Sequence, residues 1–326
     1  MKILVTGGAG FIGSCFVRYI LNKYPDYKVI NLDALTYAGN IENLDDVKNN
    51  PNYEFIHGNI CDKQLVRELV HDVNFIINFA AESHVDRSIT GPEIFIETNV
   101  SGTLNLLQAA KEAKTERYLQ VSTDEVYGSL GKTGYFYETS PIAPNSPYSA
   151  SKAGADLLVR AYFETYKMPV LITRCSNNYG PYQYPEKLIP FFISKLLRNE
   201  KVPVYGDGLN VRDWLYVYDH CSAIDTVLHK GRTGEVYNIG GHNEKTNMEI
   251  TKLILEAMNK DESSIEYVPD RLGHDRRYAI CNDKIQSELG WKPSVTFEEG
   301  IKLTINWYLN NQDWIKSIEN KCRSAV

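Results

Sequence analysis

The fold of this chain is decided by residues 2–13, Lys2-Ile3-Leu4-Val5-Thr6-Gly7-Gly8-Ala9-Gly10-Phe11-Ile12-Gly13. The apolar start is typical of a short buried strand, and the residues after the last glycine predict a helix to about Asn22. Glycines at this spacing let the backbone approach a pyrophosphate, whose charge then faces the N-terminus of the helix. Residues 2–13 therefore predict a strand, loop and helix that bind a dinucleotide, although a purely structural turn has the same composition.

Asp33 favours the dinucleotide interpretation. It ends the next apolar run, residues 28–32, about twenty residues after the glycine loop, where an acid binds the adenosine ribose hydroxyls in dinucleotide-binding proteins. The carboxylate would repel a 2′-phosphate, and no arginine stands beside it. The sequence therefore predicts NAD as the cofactor and disfavours NADP.

Strands and helices continue to alternate through the first half of the chain. Helices are expected over residues 92–113 and from Pro147 onwards, and further strands over residues 53–57, 75–79, 118–121 and 169–174. Alternating units of this kind imply a parallel sheet with right-handed crossovers. The predicted fold is α/β, a Rossmann-like doubly wound parallel sheet with a smaller mixed α/β C-terminal domain. We expect an NAD-binding domain with the catalytic residues over 1–174 and a mainly substrate-binding domain over 175–326, with some interleaving.

Composition excludes several classes of function. The 326 residues are 43% hydrophobic and 23% charged, and the net charge of -6 disfavours a broad nucleic-acid surface. Six cysteines are scattered without a C-x-x-C pair, so we expect neither a disulfide framework nor a metal site. No apolar stretch is long enough to span a bilayer, and the first strand begins at Lys2 with no signal peptide before it. The sequence therefore predicts a cytoplasmic protein.

Two neighbouring acids form the most informative stretch. Asp124 and Glu125 follow Thr123, directly after the apolar run 118–121 that predicts a strand. Ligands bind outside the carboxyl ends of strands in open α/β sheets. Adjacent side chains of an extended backbone point in different directions, so the two carboxylates can meet different atoms of one substrate. A polar loop is the alternative.

Tyr148 and Lys152 form a second candidate pair. Pro147 opens the predicted helix with Ser146 as its cap, and the spacing of four places both side chains on one face. An ammonium group near a phenol lowers a pKa that starts near about 10, so this pair is expected to remove a hydroxyl proton near neutral pH. A solvated helix face would look similar, but the glycine loop and the two acids favour catalysis.

The region after residue 175 carries groups suited to a diphosphate. Lys187, Arg212, Asn247 and the polar run 270–277 are candidates, because arginine grips phosphate oxygens through two hydrogen bonds. Surface positions for these residues remain the alternative.

The glycine loop and the Tyr148-x-x-x-Lys152 pair resemble the extended short-chain dehydrogenase/reductases. Four further stretches, 80–89, 123–128, 176–182 and 274–279, resemble the dTDP-glucose 4,6-dehydratases within that family. The likeness covers nearly the whole chain. The stretch Thr123-Asp124-Glu125 is its specific part, since related epimerases share the tyrosine, lysine and glycines but lack the pair of acids.

The motifs and the resemblance together imply contacts for two ligands. NAD contacts are expected at Gly7, Gly10, Phe11, Ile12, Gly13, Asp33, Ala34, Leu35, Thr36, Asn59, Ile60, Ala80, Ala81, Ser83, Thr98, Tyr148 and Lys152. Contacts with dTDP-glucose are expected at His84, Thr123, Asn177, Asn178, Lys187, Leu188, Pro203, Val204, Tyr205, Arg212, Asn247, Asp270, Arg271, Leu272, Gly273 and His274. The chain departs from the family at Asn59, where an aspartate is expected, and at Leu272, where a proline is expected.

The resemblance also implies a mechanism and an assembly. Tyr148, Lys152 and Thr123 would serve the oxidation of the sugar 4-hydroxyl, after which Glu125 would remove the proton on carbon 5 and Asp124 would protonate the departing 6-hydroxyl. These roles require a neutral Asp124 and an ionised Glu125. Helices 92–113 and 147–166 resemble those that pair in the family's homodimers.

Two other functions remain open from the sequence. An NAD-dependent sugar-nucleotide epimerase or decarboxylase uses the same fold, although it has no need for adjacent acids. A non-catalytic NAD-binding sensor or scaffold belongs to another class and needs none of Thr123, Asp124, Glu125, Tyr148 and Lys152 together.

Overall fold

The structure is a computed structural model that describes residues 1–270 and 275–324. Within these residues the strands are β1 (Lys2–Thr6), β2 (Lys28–Asp33), β3 (Tyr53–His57), β4 (Phe75–Asn78), β5 (Arg117–Thr123), β6 (Val170–Cys175), β7 (Asn177–Tyr179), β8 (Val202–Tyr205), β9 (Val211–Tyr216), β10 (Val236–Ile239), β11 (Glu244–Thr246) and β12 (Ile265–Val268).

The helices of the same residues lie mainly between these strands. They are α1 (Phe11–Lys23), α2 (Lys63–Val70), α3 (Val85–Thr90), α4 (Glu93–Phe95), α5 (Thr103–Ala113), α6 (Pro147–Tyr166), α7 (Leu188–Leu197), α8 (Val217–Lys230), α9 (Asn247–Ala257), α10 (Asp283–Leu289), α11 (Phe297–Asn310) and α12 (Gln312–Ser324). No helix among the described residues is long and apolar enough to cross a membrane.

Seven parallel strands form the central sheet, in the order β10-β6-β5-β4-β1-β2-β3. Successive side chains of a strand point to opposite faces, so Ile3 and Val5 join one core with α1 and α8, while Leu4 joins a second core with α2, α5 and α6. Helices therefore cover both faces of the sheet, which explains its nearly continuous apolar strands. The predicted Rossmann-like doubly wound fold is confirmed.

The strand order places a crevice beside the glycine loop. β1 pairs with β2 on one side and with β4 on the other, so the connections that leave these strands diverge. A crevice at such a point is where doubly wound sheets bind their ligands. Gly7 has a φ of +72°, and a Cβ there would lie 2.6 Å from the backbone nitrogen of Ala80, so only glycine allows this close approach.

The chain beyond residue 174 contributes to both parts of the molecule. β10 pairs with β6 in the large sheet, and α8 packs on the same core. The remaining strands form a three-stranded sheet, β11-β9-β7, and a two-stranded sheet, β12-β8, which share a separate core with α7, α9 and α11. The division into 1–174 and 175–326 stays a prediction, and the sheet takes one strand from the second range.

Two local predictions need correction and one is confirmed. The helix expected over residues 92–113 is interrupted, because Ile96–Gly102 forms a π-helical segment between α4 and α5. Asp124–Tyr127 is a 3₁₀ turn, so the two acids do not lie on extended backbone. The Ser146 cap of α6 is confirmed, since its hydroxyl accepts a hydrogen bond from the backbone nitrogen of Ser149 at 3.1 Å.

Candidate active site

Two adjoining clefts lie at the carboxyl ends of the central strands. The first, of about 320 Å³, runs from the glycine loop to α6, and the second, of about 230 Å³, extends from the end of β5 towards α7 and β8. They share a wall formed by Glu125, Asn177, Asn178, Gln183, Glu186 and Lys187. Molecules bound in the two clefts would therefore meet at this wall, beside one of the two predicted catalytic acids.

The first cleft has the features of a dinucleotide site. A Cβ at Gly13 would collide with the carbonyl oxygen of Gly7, so the loop can turn tightly into α1 only with glycine there. The carboxylate of Asp33 accepts hydrogen bonds of 2.8 Å from the backbone nitrogens of Ala9 and Leu35. Burial raises the pKa of Asp33, and these two hydrogen bonds oppose that rise. The loop and the fixed acid fit a pyrophosphate and a ribose, as NAD requires.

Sixteen of the seventeen predicted NAD contacts line this first cleft. They are Gly7, Gly10, Phe11, Ile12, Gly13, Asp33, Ala34, Thr36, Asn59, Ile60, Ala80, Ala81, Ser83, Thr98, Tyr148 and Lys152. Leu35 is the exception, because its backbone takes a φ of +49° and its side chain packs against the core. The Oδ1 atom of Asn59 accepts a hydrogen bond from the backbone nitrogen of Cys61 at 2.9 Å, so this departure from the family also serves the local turn.

Thr123, Asp124 and Glu125 stand together where β5 ends. The hydroxyl of Thr123 accepts a hydrogen bond from the backbone nitrogen of Glu125 at 3.2 Å and donates to Oδ1 of Asp124 at 3.4 Å. Asp124 is 2% exposed, whereas Glu125 is half-buried. The capped turn thus gives neighbouring acids different surroundings, which is the condition for different protonation states.

The pKa of Asp124 is raised well above its usual value. Burial is the largest cause, and the negative charges of Glu125 and Asp213 add to it, while Arg212 opposes it. The Oδ2 atom of Asp124 is buried and makes no hydrogen bond within the described residues. An unpaired buried carboxylate is costly, so Asp124 holds a proton under conditions in which an ordinary aspartate is ionised.

Tyr148 and Lys152 project from α6 into the first cleft, 9% and 4% exposed. The ammonium group of Lys152 donates to the carbonyl oxygen of Val121 at 2.7 Å. Burial lowers the pKa of Lys152, and the carboxylate of Asp156 opposes that change. The expected low pKa of the Tyr148 phenol is wrong for the chain by itself: burial, followed by the charge of Glu125, raises the pKa well above the usual value.

The predicted substrate residues gather mainly around the second cleft. Ten of them line it: His84, Asn177, Asn178, Lys187, Leu188, Pro203, Val204, Tyr205, Arg212 and Asn247. Thr123 lines the first cleft instead. Asp270 is not among the lining residues, and its side chain lies beside Gly206. Arg271, Leu272, Gly273 and His274 lie outside the described residues.

Positive charge in the second cleft is held in place by neighbouring groups. The Arg212 guanidinium lies 4.5 Å from the centre of the Tyr278 ring and donates to the carbonyl oxygen of Asp275 at 2.9 Å. Lys187 lies in the wall between the clefts, and its ammonium donates to the carbonyl oxygen of Ser83 at 3.4 Å. These two cations suit the charge of a diphosphate.

Sequence reasoning missed several residues of the site. Glu186 and Gln183 belong to the shared wall, Cys175 lines the first cleft, and Tyr278 lines the second. Cys175 ends β6 and so occupies the usual binding edge of the sheet, which was a usable sign. Glu186 stands beside the predicted Lys187, but nothing in its spacing distinguished it from a surface acid. No cluster of histidine, cysteine, aspartate or glutamate suited to a metal ion occurs in the part of the chain that the structure describes.

Comparison with known proteins gives consistent results. Residues 4–304 match the GDP-mannose 4,6 dehydratase family. The dTDP-glucose 4,6-dehydratase of Xanthomonas campestris pv. campestris (strain B100) is 55% identical, over 97% of this chain and 95% of that protein. The crystal structure of the dTDP-glucose 4,6-dehydratase DesIV from Streptomyces venezuelae, with NAD and TYD bound, superimposes with a TM-score of 0.94 at 54% identity, over 96% of this chain and 98% of that one.

A more distant structure shows how far the fold extends. The UDP-glucose 4-epimerase of Thermotoga maritima, solved with UDP-glucose, has a TM-score of 0.89 but only 32% identity, over 96% of this chain and 100% of that chain. The backbone alone therefore does not separate a dehydratase from an epimerase, and the side chains at the junction of the clefts must do so.

Proposed function

This chain belongs to the GDP-mannose 4,6 dehydratase family, and we propose that it is an NAD-dependent dTDP-glucose 4,6-dehydratase. This hydro-lyase converts dTDP-glucose to dTDP-4-keto-6-deoxyglucose and water. The observation that carries the proposal is the position of Asp124 and Glu125, adjacent acids with unlike surroundings. Both line the dinucleotide cleft, and Glu125 also lines the second cleft, which carries Arg212 and Lys187. Relatives with that name share more than half of their residues with this chain.

NAD would be held by the glycine loop, with the adenosine ribose on Asp33. When bound, NAD supplies the hydride acceptor for carbon 4 of the sugar and the hydride donor for carbon 6. Asp33 is already fixed by two backbone hydrogen bonds, so little ordering is needed for it to accept ribose hydroxyls. The carboxylate disfavours the additional phosphate of NADP.

The chain's own part in the oxidation is to take the proton from the sugar 4-hydroxyl. Tyr148 is the proposed base, and Thr123 orients the hydroxyl. Because burial raises the pKa of Tyr148, the phenol does not lose its proton in the chain by itself at neutral pH. A positive charge placed next to the phenol when the ligands are bound would lower that pKa.

Elimination of water requires a base and an acid on the same sugar. The 4-ketone acidifies the hydrogen on carbon 5, and half-buried Glu125 removes that proton. Asp124, which keeps its proton because it is buried beside other acids, gives it to the departing 6-hydroxyl. The carbon–oxygen bond at carbon 6 breaks, the electron pair from carbon 5 forms the double bond, and water leaves. When carbon 6 of this unsaturated ketone is then reduced, carbon 5 regains a proton, which Glu125 would supply. General acid and base groups contribute about 10²–10⁴-fold each to such steps.

The second cleft would hold the nucleoside diphosphate. Arg212 and Lys187 lie on its walls, and their positive charges balance the diphosphate. The product is an activated keto sugar, so the enzyme would serve the biosynthesis of dTDP-rhamnose or other deoxysugars. We place this reaction in the cytoplasm.

We also propose that the active protein is a homodimer. The part of the chain from α3 to α6 carries five large apolar side chains that are each 38–53% exposed: Ile89, Ile94, Ile96, Leu104 and Leu157. We infer that these side chains belong to one interaction surface, because contiguous exposed apolar patches mark such surfaces. A second copy of the same face would cover these residues in an isologous contact.

One incubation tests the proposed activity. Purified protein is supplied with dTDP-glucose alone, and the product is examined for the 4-keto chromophore that develops in alkali. The dehydratase gives the chromophore without added reductant or oxidant. An epimerase would give a sugar nucleotide without it, and a sensor or scaffold would leave dTDP-glucose unchanged. UDP-glucose in a parallel reaction measures the preference for the thymidine nucleotide.

A further inference from the structure

The C-terminal helix α12 is bonded to a turn that supports the glycine loop. The indole nitrogen of Trp314 donates to Oδ1 of Asn43 at 2.9 Å. Asn43 lies in the 3₁₀ turn Ile41–Leu44 and is 2% exposed. The helix therefore contacts, through a buried amide, a residue that lies 271 positions earlier in the chain.

The other end of the same amide holds the glycine loop. The Nδ2 atom of Asn43 donates to the carbonyl oxygen of Ala9 at 2.9 Å, and the backbone nitrogen of Asn40 donates to that oxygen at 3.0 Å. The nitrogen of Ala9 in turn donates to Asp33. A continuous series of hydrogen bonds thus runs from Trp314 through Asn43 and Ala9 to the acid that would bind the ribose.

Neighbouring contacts fix α12 in this position. Ser317 donates to Glu42 at 2.9 Å, and Lys321 donates to Oδ1 of Asn40 at 2.7 Å. Trp314 also belongs to an aromatic cluster with Trp307 and Tyr182, with ring centroids 5.2 and 5.9 Å from its own. The helix is consequently held both by the turn that contacts the glycine loop and by the rings of Trp307 and Tyr182.

The glycine loop needs such support for a physical reason. Glycine loses more backbone freedom on ordering than any other residue, and four of the seven residues from Gly7 to Gly13 are glycines. Ordering a free loop costs conformational free energy each time the cofactor binds, whereas a loop that other residues hold in place is already ordered. External hydrogen bonds to Ala9 reduce that cost.

We propose that Trp314 and Asn43 are positioning residues that hold the glycine loop in its cofactor-binding form and so slow the release of NAD. The identity of the cofactor rests on the proposed function. Neither residue lines the clefts, and both act through Ala9. α12 therefore supports the cofactor site from outside, although it is the last helix of the chain.

The test uses full-length protein loaded with NAD. Release of NAD is followed after dilution into a scavenging enzyme, for wild type, Trp314→Phe, Asn43→Asp and the control Trp307→Phe. The control makes the same aromatic substitution in the same cluster without touching Asn43. Asn43→Asp replaces the donor to Ala9 by an acceptor. Trp314→Phe loses the partly buried hydrogen bond to Asn43, so release should be roughly five- to tenfold faster. Asn43→Asp loses the buried hydrogen bond to Ala9 itself, so its release should be faster still.

Two further measurements separate positioning from general stability. The melting temperature without NAD should be similar for Trp314→Phe and Trp307→Phe, while the upward shift on adding NAD should shrink only in the former. The double variant Trp314→Phe/Asn43→Ala should release NAD no faster than Asn43→Ala alone, since the two residues act in series.

The outcomes distinguish this inference from the proposed function. If wild type holds NAD and Trp314→Phe and Asn43→Asp release it at the wild-type rate, the positioning role is wrong and the dehydratase proposal is untouched. Equal acceleration in Trp307→Phe would also overturn it, because packing alone would then explain the effect. If wild type binds no NAD, the proposed function fails and this inference fails with it.

Discussion

Replacing Asp124 by asparagine should separate oxidation of the sugar from its dehydration. Asparagine keeps the shape of the side chain and its ability to accept from Thr123, but it carries no acidic proton for the departing 6-hydroxyl. Loss of a general acid costs about 10²–10⁴-fold in the step that it serves. Oxidation does not use Asp124, so reduced cofactor should build up on the enzyme. The 4-keto-6-deoxy product should form much more slowly than with wild type.

The same substitution should change how stability depends on pH. Asp124 has a raised pKa in the folded chain, against about 3.9 when unfolded. Between these values the folded state binds the extra proton, so the free energy of unfolding falls as pH rises, by up to about 1.4 kcal/mol per pH unit. The amide introduced by Asp124→Asn does not titrate, so the unfolding free energy of the variant does not decrease with pH for this reason. Its stability relative to wild type should therefore grow from about pH 4 upwards and level off above the folded pKa.

Two assays check these expectations on one pair of proteins. Single-turnover mixing with dTDP-glucose follows the absorbance of reduced nicotinamide and the amount of product, and urea unfolding at intervals of pH gives the free energies. Glu125→Gln is the matched control, because it makes the same change of carboxylate to amide at the half-buried neighbour. It too should accumulate reduced cofactor, but for lack of the carbon 5 base.

The reasoning is refuted by either of two results. Dehydration by Asp124→Asn at a rate within a few-fold of wild type would remove the acid from the mechanism. A difference in unfolding free energy that stays constant across the range from about pH 4 to about pH 8 would mean that Asp124 titrates like an exposed aspartate, which contradicts its burial.

Three other substitutions probe the remaining parts of the site. Tyr148→Phe should lower the rate of the first oxidation by about 10²–10⁴-fold. Formation of enzyme-bound reduced cofactor at the normal rate would show that another group is the base. Asp33→Ala should weaken NAD binding by roughly 10–100-fold, through loss of charge-assisted hydrogen bonds to the ribose, and an unchanged NAD content after purification would count against the ribose contact. Leu157→Glu should shift the protein from dimer to monomer in light scattering, because it places a charge in the proposed interface; a fully dimeric variant would place the interface elsewhere.

Much of the fold was predictable because it depends on local pattern. Apolar runs such as Lys2–Thr6 and Tyr53–His57 coincide with strands, and the Ser146 cap fixed the start of α6. β10 could not be assigned to the large sheet from its own sequence, since pairing with β6 depends on tertiary packing of α8. The π-helical segment Ile96–Gly102 likewise has no period that distinguishes it from an α-helix.

The candidate site was predictable in its residues and less so in its electrostatics. The positions of Asp33, Asp124 and Tyr148 relative to the predicted strands and helices were enough to predict that they share one cleft. The phenol's pKa was expected to fall because Lys152 is close in sequence, but burial and the charge of Glu125 dominate in the folded chain. Burial of that kind is a property of all the surrounding elements together, and a local motif does not contain it.

The central claim, that one sugar is oxidised, dehydrated and reduced before it leaves the enzyme, is tested most directly by isotope transfer. dTDP-glucose deuterated at carbon 4 is converted by wild-type protein, and the product is analysed by NMR. The deuterium should appear at carbon 6 of the same molecule, and the hydrogen on carbon 5 should come from solvent, because Glu125 exchanges its proton with water. Deuterium retained at carbon 4, with no exchange at carbon 5, would contradict the dehydratase account and support an epimerase.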